Sequence, residues 1–131
     1  MKKLLYKLKS YGINGLLLSW VESFLSNRVQ KVRVGNCLSD VISVTSGVPQ
    51  GSVLGPILFI IYINNICDLS ERYQKLVTFK LFADDVKVYS PVNDFNSVDQ
   101  LQTCLNDVAR WADDWQLKLS PHKCCVLQCW Q

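Results

Sequence analysis

The chain contains a single histidine among its 131 residues. A zinc site needs four ligands at paired spacing, which this histidine and the cysteine cluster of HKCCVLQC (122–129) match poorly. Long apolar runs are also missing, because the longest, VLGPILFIIYI (53–63), is too short to span a bilayer. A secretory signal is not expected either, since lysines interrupt the apolar residues near Met1. These absences favour an intracellular protein, nuclear or cytoplasmic, whose six cysteines are free thiols.

The composition fits one globular domain, since 49% of the residues are hydrophobic and 19% are charged. That balance excludes a disordered or collagen-like chain. The formal net charge of +3 is compatible with a nucleic-acid partner but does not require one. The basic segment RVQKVRV, with Arg28, Lys31 and Arg33, either contacts a nucleic-acid backbone or forms a solvated hairpin. No membrane partner is expected, and the oligomeric state is left open.

Hydrophobic periodicity predicts an α+β domain in which antiparallel β-hairpins pack against helices. We expect the third predicted helix to be buried, with Ser52 or Gly55 near its N-cap and Pro56 in its first turn. A polar link at 68–75 should follow it. The predicted helices span 3–9, 15–26, about 53–67 and 97–116, and the predicted strand pairs are 29–35 with 41–47, a pair within 76–90 and a pair within 116–130.

The segment 97–116 is the most regular predicted helix, because its apolar residues recur at spacings of three and four. Ser97 and Gln100 form a capping-box pattern at its start. An adjacent pair of acids in this helix, Asp113 and Asp114 of WADDW, falls between positions of the apolar stripe. Acidic residues on the solvated side of a helix need no functional explanation, and we assign them none.

Another adjacent pair, Asp84 and Asp85 in LFADDVKVY, stands between β-branched and aromatic residues. Strands of this composition are expected to be covered on at least one face, where two neighbouring carboxylates repel each other unless a cation neutralises them. Carboxylate oxygens are ligands of Mg²⁺ and Mn²⁺. Aspartate is also common in tight hairpin turns, so the dipeptide alone leaves a metal site and a plain turn open.

The loop SGVPQGSVLGP (46–56) places three glycines and two prolines around Gln50. Glycines let a backbone approach a ligand closely, and the amide of Gln50 can both donate to and accept from a sugar or a base edge. An ordinary tight turn remains the alternative. The loop's length and its junction with the predicted buried helix weaken the case for a plain turn, and they leave the two interpretations evenly balanced.

In this order and spacing, SGVPQGSVLGPILFIIYINNI and LFADDVKVY resemble the palm of reverse transcriptases, specifically those of non-LTR retrotransposons. The resemblance extends over nearly the whole chain, because the segments before the loop and after the Asp pair also resemble that family. It implies RNA-directed DNA polymerisation by two-metal nucleotidyl transfer. The implied partners are an RNA template, a DNA primer and deoxynucleotides.

The resemblance also implies roles for individual residues. Asp84, supported by Asp85, would help hold two Mg²⁺ or Mn²⁺ ions at a hairpin turn. Lys123 would help the pyrophosphate leave, with a solvated lysine as the alternative. The residues that would line the nucleotide and the template are Gly47, Pro49, Gln50 and Gly51.

One expected feature of the family's metal site does not occur: a further aspartate on an earlier strand. Residues 1–39 contain no aspartate, and Asp40 does not match that motif. We therefore interpret residues 1–131 as a partial palm domain that lacks the fingers and the first catalytic strand. Half of a two-metal site holds Mg²⁺ poorly, so we expect no polymerisation by this chain alone. The alternative is a catalytically inactive, truncated remnant that at most binds nucleic acid.

Overall fold

A computed structural model describes residues 2–73, 76–92 and 94–128 of the chain. The chain divides into two compact units, residues 1–64 and 65–131, and each is described by itself. Both units combine helices with short antiparallel strand pairs, which confirms the predicted α+β class.

Three helices form the core of the first unit: α1 (Lys2–Ser10), α2 (Gly15–Leu25) and α3 (Leu54–Ile63). A glycine with φ +82°, Gly12, turns the chain between α1 and α2, as the YGING pattern predicts. The ammonium group of the buried Lys7 donates to the backbone carbonyl of Tyr62 and so ties α1 to the last turn of α3. Five buried side chains make the core of this unit: Leu4, Leu8, Val21, Leu25 and Leu58.

A long interrupted hairpin follows α2. Strand β1 (Val29–Gln30) pairs with β4 (Ile42–Ser43), and β2 (Arg33–Val34) pairs with β3 (Cys37–Leu38). The predicted pairing is confirmed only for residues 29–30 with 42–43. Arg33–Val34 pairs instead with Cys37–Leu38, within the segment predicted to be the connection, and the strands are shorter than the sequence pattern indicates. The hydroxyl of Ser39 accepts the N–H of Val32 at 2.9 Å at the interruption. A side chain thus replaces one rung of the ladder.

The predicted helix of about 53–67 is two helices in the structure. Helix α3 ends at Ile63, and α4 (Ile66–Arg72) begins after two asparagines. The Asn64 amide donates to the Tyr11 hydroxyl at 2.8 Å, whereas the Asn65 side chain accepts a hydrogen bond from a later helix. Asparagine is a poor helix former, and here both side chains bond to distant residues, Tyr11 and Trp111. The expected polar link at 68–75 is therefore wrong for residues 68–72, which are helical, while 74 and 75 lie outside the described residues.

The start of α3 matches the sequence prediction. The N–H of Gly55 donates to the Ser52 hydroxyl at 3.0 Å, and Pro56 lies in the first turn. Its burial does not match, because Ile57 and Ile60 are each about half exposed. One stripe of this helix packs on α1, and an apolar stripe on another side faces water.

The second unit contains α4, a hairpin of β5 (Thr78–Phe82) and β6 (Asp85–Tyr89), and the long helix α5 (Phe95–Asp114). The hairpin register pairs Phe82 with Asp85 and Thr78 with Tyr89, as the sequence predicts for two strands joined at the Asp pair. Its core consists of five buried side chains: Ile66, Leu69, Val77, Phe79 and Cys104.

Helix α5 begins two residues before the predicted start. Its N-cap is Asp94, whose carboxylate accepts the N–H of Ser97 at 2.7 Å. The predicted capping box of Ser97 and Gln100 is therefore wrong, because the helix already begins at Phe95, where the Asp94 carboxylate caps it and leaves Ser97 inside the first turn. Hydrogen bonds from Ser97 also hold the pKa of the Asp94 carboxyl below its ordinary value.

The segment after α5 has no strands among residues 117–128, so the predicted small strand pair is wrong there; residues 129 and 130 lie outside the described residues. A short 3-10 helix, Pro121–Lys123, begins at the proline, which has no N–H for a strand ladder. The five cysteines within the described ranges are unpaired, as predicted. No helix formed by the described residues has the length and apolar character needed to cross a membrane.

Candidate metal and nucleotide site

Asp84 and Asp85 lie at the tip of the β5–β6 hairpin. Two residues, Ala83 and Asp84, make the turn, and Asp85 is the first residue of β6. Ala83 has a φ of 51°, in the left-handed region that a residue with a Cβ adopts at a cost of about 1–2 kcal/mol. The turn is thus tight and locally strained, and it presents two adjacent carboxylates side by side.

The environment of this pair differs from the sequence expectation. Phe79 is buried near the base of the hairpin, but Phe82, beside the turn, is 82% exposed, and both aspartates are exposed. The prediction of covered strands therefore holds only at the base, because the tip extends beyond the apolar residues that pack on the hairpin. Neither aspartate forms a salt bridge with any residue in the described ranges.

The Asp pair offers the kind of ligand that a divalent cation binds, but not the number of ligands that it needs. Carboxylate oxygens suit Mg²⁺ and Mn²⁺, and exposure leaves both groups accessible. However, residues 2–73, 76–92 and 94–128 contain no cluster of three or more histidine, cysteine, aspartate or glutamate side chains able to hold a metal.

The loop of Gly47, Pro49, Gln50 and Gly51 belongs to the first unit. Gly47 and Gly51 have φ values of +72° and +76°, which favour glycine at both positions. The Ser52 hydroxyl donates to the Pro49 carbonyl at 2.7 Å and accepts from Gly55, so one side chain fixes the loop to the start of α3. Gln50 is exposed at the loop's apex.

The structure groups the predicted site residues into three places. The Gly-Pro-Gln loop lies in the first unit, the Asp pair on the hairpin turn of the second, and Lys123 on the 3-10 helix of the second. Lys123 is exposed and forms no ion pair with Asp84 or Asp85 within the described part of the chain. Asp113 and Asp114 are exposed at the end of α5, as predicted.

Sequence reasoning missed an ion-pair cluster around Asp107, whose side chain is 10% exposed. Its carboxylate accepts from the Tyr73 hydroxyl at 2.8 Å and from Arg72 at 3.1 Å, and it pairs with Arg110 at 2.8 Å. The hydrogen bond from Tyr73, with the two guanidinium groups, lowers the pKa of Asp107, and the same bond raises the pKa of Tyr73. Only the i, i+3 spacing of Asp107 and Arg110 is visible in the sequence.

A second missed contact involves Asn65. Its side-chain oxygen accepts the indole N–H of Trp111 at 3.2 Å and joins the start of α4 to α5. No spacing rule indicates a contact between residues 46 positions apart.

An α+β chain that presents adjacent carboxylates on a strained hairpin turn, together with a Gly-Pro-Gln loop, has the features of a nucleotidyl-transfer domain. Comparison with protein families agrees: the family described as Reverse transcriptase (RNA-dependent DNA polymerase) matches residues 1–131. The chain belongs to the reverse transcriptase family. The predicted non-LTR retrotransposon branch is confirmed as well. Enzymes of this family generally use divalent metal ions and act on nucleic-acid templates and primers.

The curated relatives come from mobile elements of fruit flies. The RNA-directed DNA polymerase from mobile element jockey of Drosophila funebris is 34% identical over 128 residues, which cover 92% of this chain and 14% of that protein. The jockey polymerase of Drosophila melanogaster is 32% identical over 92% of this chain and 14% of its own length. The probable RNA-directed DNA polymerase from transposon BS of the same species is 32% identical, with 92% and 13% covered. The chain thus spans a small part of each relative, and no solved structure matches it.

Proposed function

We propose that residues 1–131 are part of the palm of a non-LTR retrotransposon reverse transcriptase, without the fingers and without the first catalytic strand. The whole protein would extend a DNA primer on an RNA template. The observation that carries the proposal is the hairpin turn of Ala83 and Asp84, which presents two exposed carboxylates in a chain of this family. Local backbone strain at such a turn is common where a site must hold a functional geometry.

Within this function, Asp84 would hold a Mg²⁺ or Mn²⁺ ion, with Asp85 in support. A further carboxylate from outside the described residues would complete the set. The ion supplies positive charge to the phosphates of the incoming nucleotide. The chain's own contribution is to fix two carboxylates at a rigid turn, in reach of solvent and substrate.

The Gly-Pro-Gln loop would contact the nucleotide and the template strand. Its left-handed glycines leave the backbone at Gly47 and Gly51 without side chains, so a ligand can approach closely. Gln50 is exposed and offers an amide with both donors and an acceptor. Lys123, also exposed, would neutralise the leaving pyrophosphate.

Primer extension tests the proposal in a polymerase that supplies the remaining parts. Residues 1–131 replace the matching segment of the jockey polymerase of Drosophila funebris, and extension is measured on an RNA template with Mg²⁺ or Mn²⁺. We expect extension that is lost in Asp84→Asn by at least about a hundredfold. The matched control, Asp113→Asn, changes an equally exposed aspartate and should retain extension.

Two results would contradict this assignment. Extension that survives in Asp84→Asn would show that the hairpin carboxylate is not needed. Equal loss in Asp84→Asn and Asp113→Asn would show that general charge, not this turn, supports the reaction. Residues 1–131 alone, without the rest of a polymerase, should not extend a primer, because the described residues hold no third ligand.

A further inference from the structure

Arg28 is the residue that connects the Gly-Pro-Gln loop to the helical core of the first unit. It lies between α2 and β1, and it is half-buried. Its guanidinium donates to three backbone carbonyls: Nε to Leu25 at 2.9 Å, and Nη2 to Ser46 at 3.1 Å and to Gly47 at 2.6 Å. One planar group thus binds the end of a helix and the first two residues of the loop.

The backbone of Arg28 adds a fourth link. Its carbonyl accepts the N–H of Val44 at 2.8 Å, which continues the β1–β4 ladder by one residue toward the loop. The chain at 44–47 is therefore held from Arg28 by both main chain and side chain. Immediately after this anchor, Gly47 takes its left-handed conformation.

The anchor on the helix side is rigid. Leu25 is 4% exposed and belongs to the core of the first unit. Its carbonyl is at the C-terminal end of α2, where a cation is favourable because the last carbonyls of a helix carry partial negative charge. On the loop side Ser46 and Gly47 are exposed, whereas the next residue, Val48, packs against the core of the first unit. Arg28 therefore holds the first two residues of the loop, and the core holds the third.

From these contacts we infer that Arg28 is a positioning residue for the loop 46–51. It fixes the carbonyls of Ser46 and Gly47 to the end of α2, and it thereby sets where Pro49, Gln50 and Gly51 meet the nucleotide and template. The inference deepens the proposed function and rests on it for that last step. The step before it, that Arg28 holds the loop, stands on the structure alone.

The competing role for Arg28 is direct contact with a nucleic-acid phosphate. Nε and Nη2 already donate to carbonyls, which leaves the two N–H groups of Nη1 for a phosphate. The two roles predict different effects of replacing Arg28 with lysine. A phosphate contact needs a positive charge, which lysine keeps, whereas three carbonyls at fixed angles need the guanidinium fork, which lysine lacks.

Amide hydrogen exchange on residues 1–131 tests the loop-holding step. In Arg28→Gln and in Arg28→Lys, we expect the Ser52 and Val44 amides to exchange about tenfold faster, as loss of charge-assisted hydrogen bonds predicts. Amides of α1 should keep their wild-type rates. The control is Arg33→Gln, which removes another guanidinium from the same hairpin. The contact of Arg33 is local, because its Nε donates to the Gly35 carbonyl at 3.0 Å. It should leave exchange at 44–52 unchanged.

Fluorescence anisotropy with a labelled RNA–DNA primer–template tests the functional step. We expect both Arg28 variants to weaken binding about tenfold with the dependence of log Kd on log salt unchanged, because no phosphate contact is lost. Rescue of binding by Arg28→Lys, or a salt slope lower by about 0.9, would overturn positioning in favour of a phosphate contact. Unchanged exchange at 44–52 in Arg28→Gln would overturn loop holding.

The two arms separate failure of this inference from failure of the proposed function. If wild-type residues 1–131 show no affinity for the primer–template, the template contact of the proposed function fails, and with it the functional step for Arg28. The exchange arm still decides whether Arg28 holds the loop. If wild type binds and the Arg28 variants bind equally well, the positioning role fails while the proposed function stands.

Discussion

At the scale of single residues, Gly55 shows how closely the Gly-Pro-Gln loop packs on the helix that follows it. A Cβ built on Gly55 would lie 2.8 Å from the Pro49 carbonyl oxygen and 3.0 Å from the Ser52 hydroxyl. Both atoms belong to the hydrogen-bonded connection between loop and helix. The absence of a side chain here lets the loop fold back on α3, so this glycine serves packing rather than an unusual backbone angle.

Gly55→Ala should destabilise the first unit despite alanine's better helix propensity. That propensity favours alanine by about 1 kcal/mol, whereas displacing a backbone carbonyl from a packed contact costs about 1–3 kcal/mol. We expect the free energy of unfolding, measured by urea denaturation, to fall, and exchange at Ser52 to rise.

The comparison variant is Gly35→Ala. Unlike Gly55, Gly35 has a positive φ, +59°, and open space around its missing Cβ. It should lose about 1 kcal/mol through backbone strain, with no change in exchange at Ser52. Wild-type stability in Gly55→Ala, with unchanged exchange, would show that the loop does not depend on this close approach.

At the scale of elements, Asp107 joins α4 to α5. Tyr73 follows α4 and Arg72 ends it, and both bind the carboxylate on α5, which is largely shielded from water. The hydrogen bond with Tyr73 favours an ionised Asp107 and a neutral Tyr73, so the pKa of Asp107 falls and the pKa of Tyr73 rises. This junction should therefore be stable only while the two groups keep these charge states.

The stability of the second unit should consequently depend on pH at both extremes. A lowered pKa of Asp107 contributes stability that is present above its ordinary value of 3.8 and is lost as pH falls through the folded-state pKa. A raised pKa of Tyr73 contributes stability that is present below 10.0 and is lost as pH rises through the folded-state pKa. Urea denaturation across pH should show both losses in wild type.

Two variants separate these contributions. Tyr73→Phe should reduce mainly the alkaline loss, and Asp107→Asn should reduce both. Neither loss should disappear, because the pKa of Asp94 is also lowered and the pKa of Cys104 is also raised in this unit. Asp113→Asn is the control, because that aspartate is exposed near the C-terminal end of the same helix. A pH profile for Asp107→Asn that matches wild type would mean that the cluster does not stabilise the junction.

At the scale of the whole molecule, the first unit exposes apolar side chains and the second exposes strand edges. In the first unit, Val53, Ile57 and Ile60 of one side of α3 are exposed to 87%, 51% and 55%. In the second, the two-stranded sheet of β5 and β6 has no neighbouring strand on either edge among the described residues. Surfaces of this kind associate with further protein more readily than the surface of a self-sufficient domain.

Local chemistry explains which features the sequence predicted. The Asp pair falls at a hairpin turn because aspartate and a two-residue connection suit that geometry. The start of α3 was predictable from Ser52 and Pro56, whose capping roles are local. Each of these depends on residues within a few positions of one another.

Features that depend on distant partners were not predictable. Asp107 meets Tyr73 across 34 positions, and Arg28 meets Gly47 across 19, with no spacing rule to indicate either contact. The break between α3 and α4 depends on the side chains of Asn64 and Asn65 finding partners elsewhere in the chain. The sequence predicted covered strands around Asp84 from their apolar composition. Whether a hairpin tip is buried depends on which distant residues pack on it, and composition does not indicate those residues.

The chain has two pairs of neighbouring aspartates, Asp84 with Asp85 and Asp113 with Asp114. The central claim is that only Asp84 and Asp85 form a metal-binding element. Both pairs are exposed and carry the same charge, so each is a control for the other. The measurement is paramagnetic broadening of amide NMR signals by Mn²⁺, in wild type and in the double variants Asp84→Asn/Asp85→Asn and Asp113→Asn/Asp114→Asn. We predict broadening centred on 83–86 that disappears in the first variant and persists in the second. Equal broadening at both pairs, or broadening centred on 113–114, would contradict the claim.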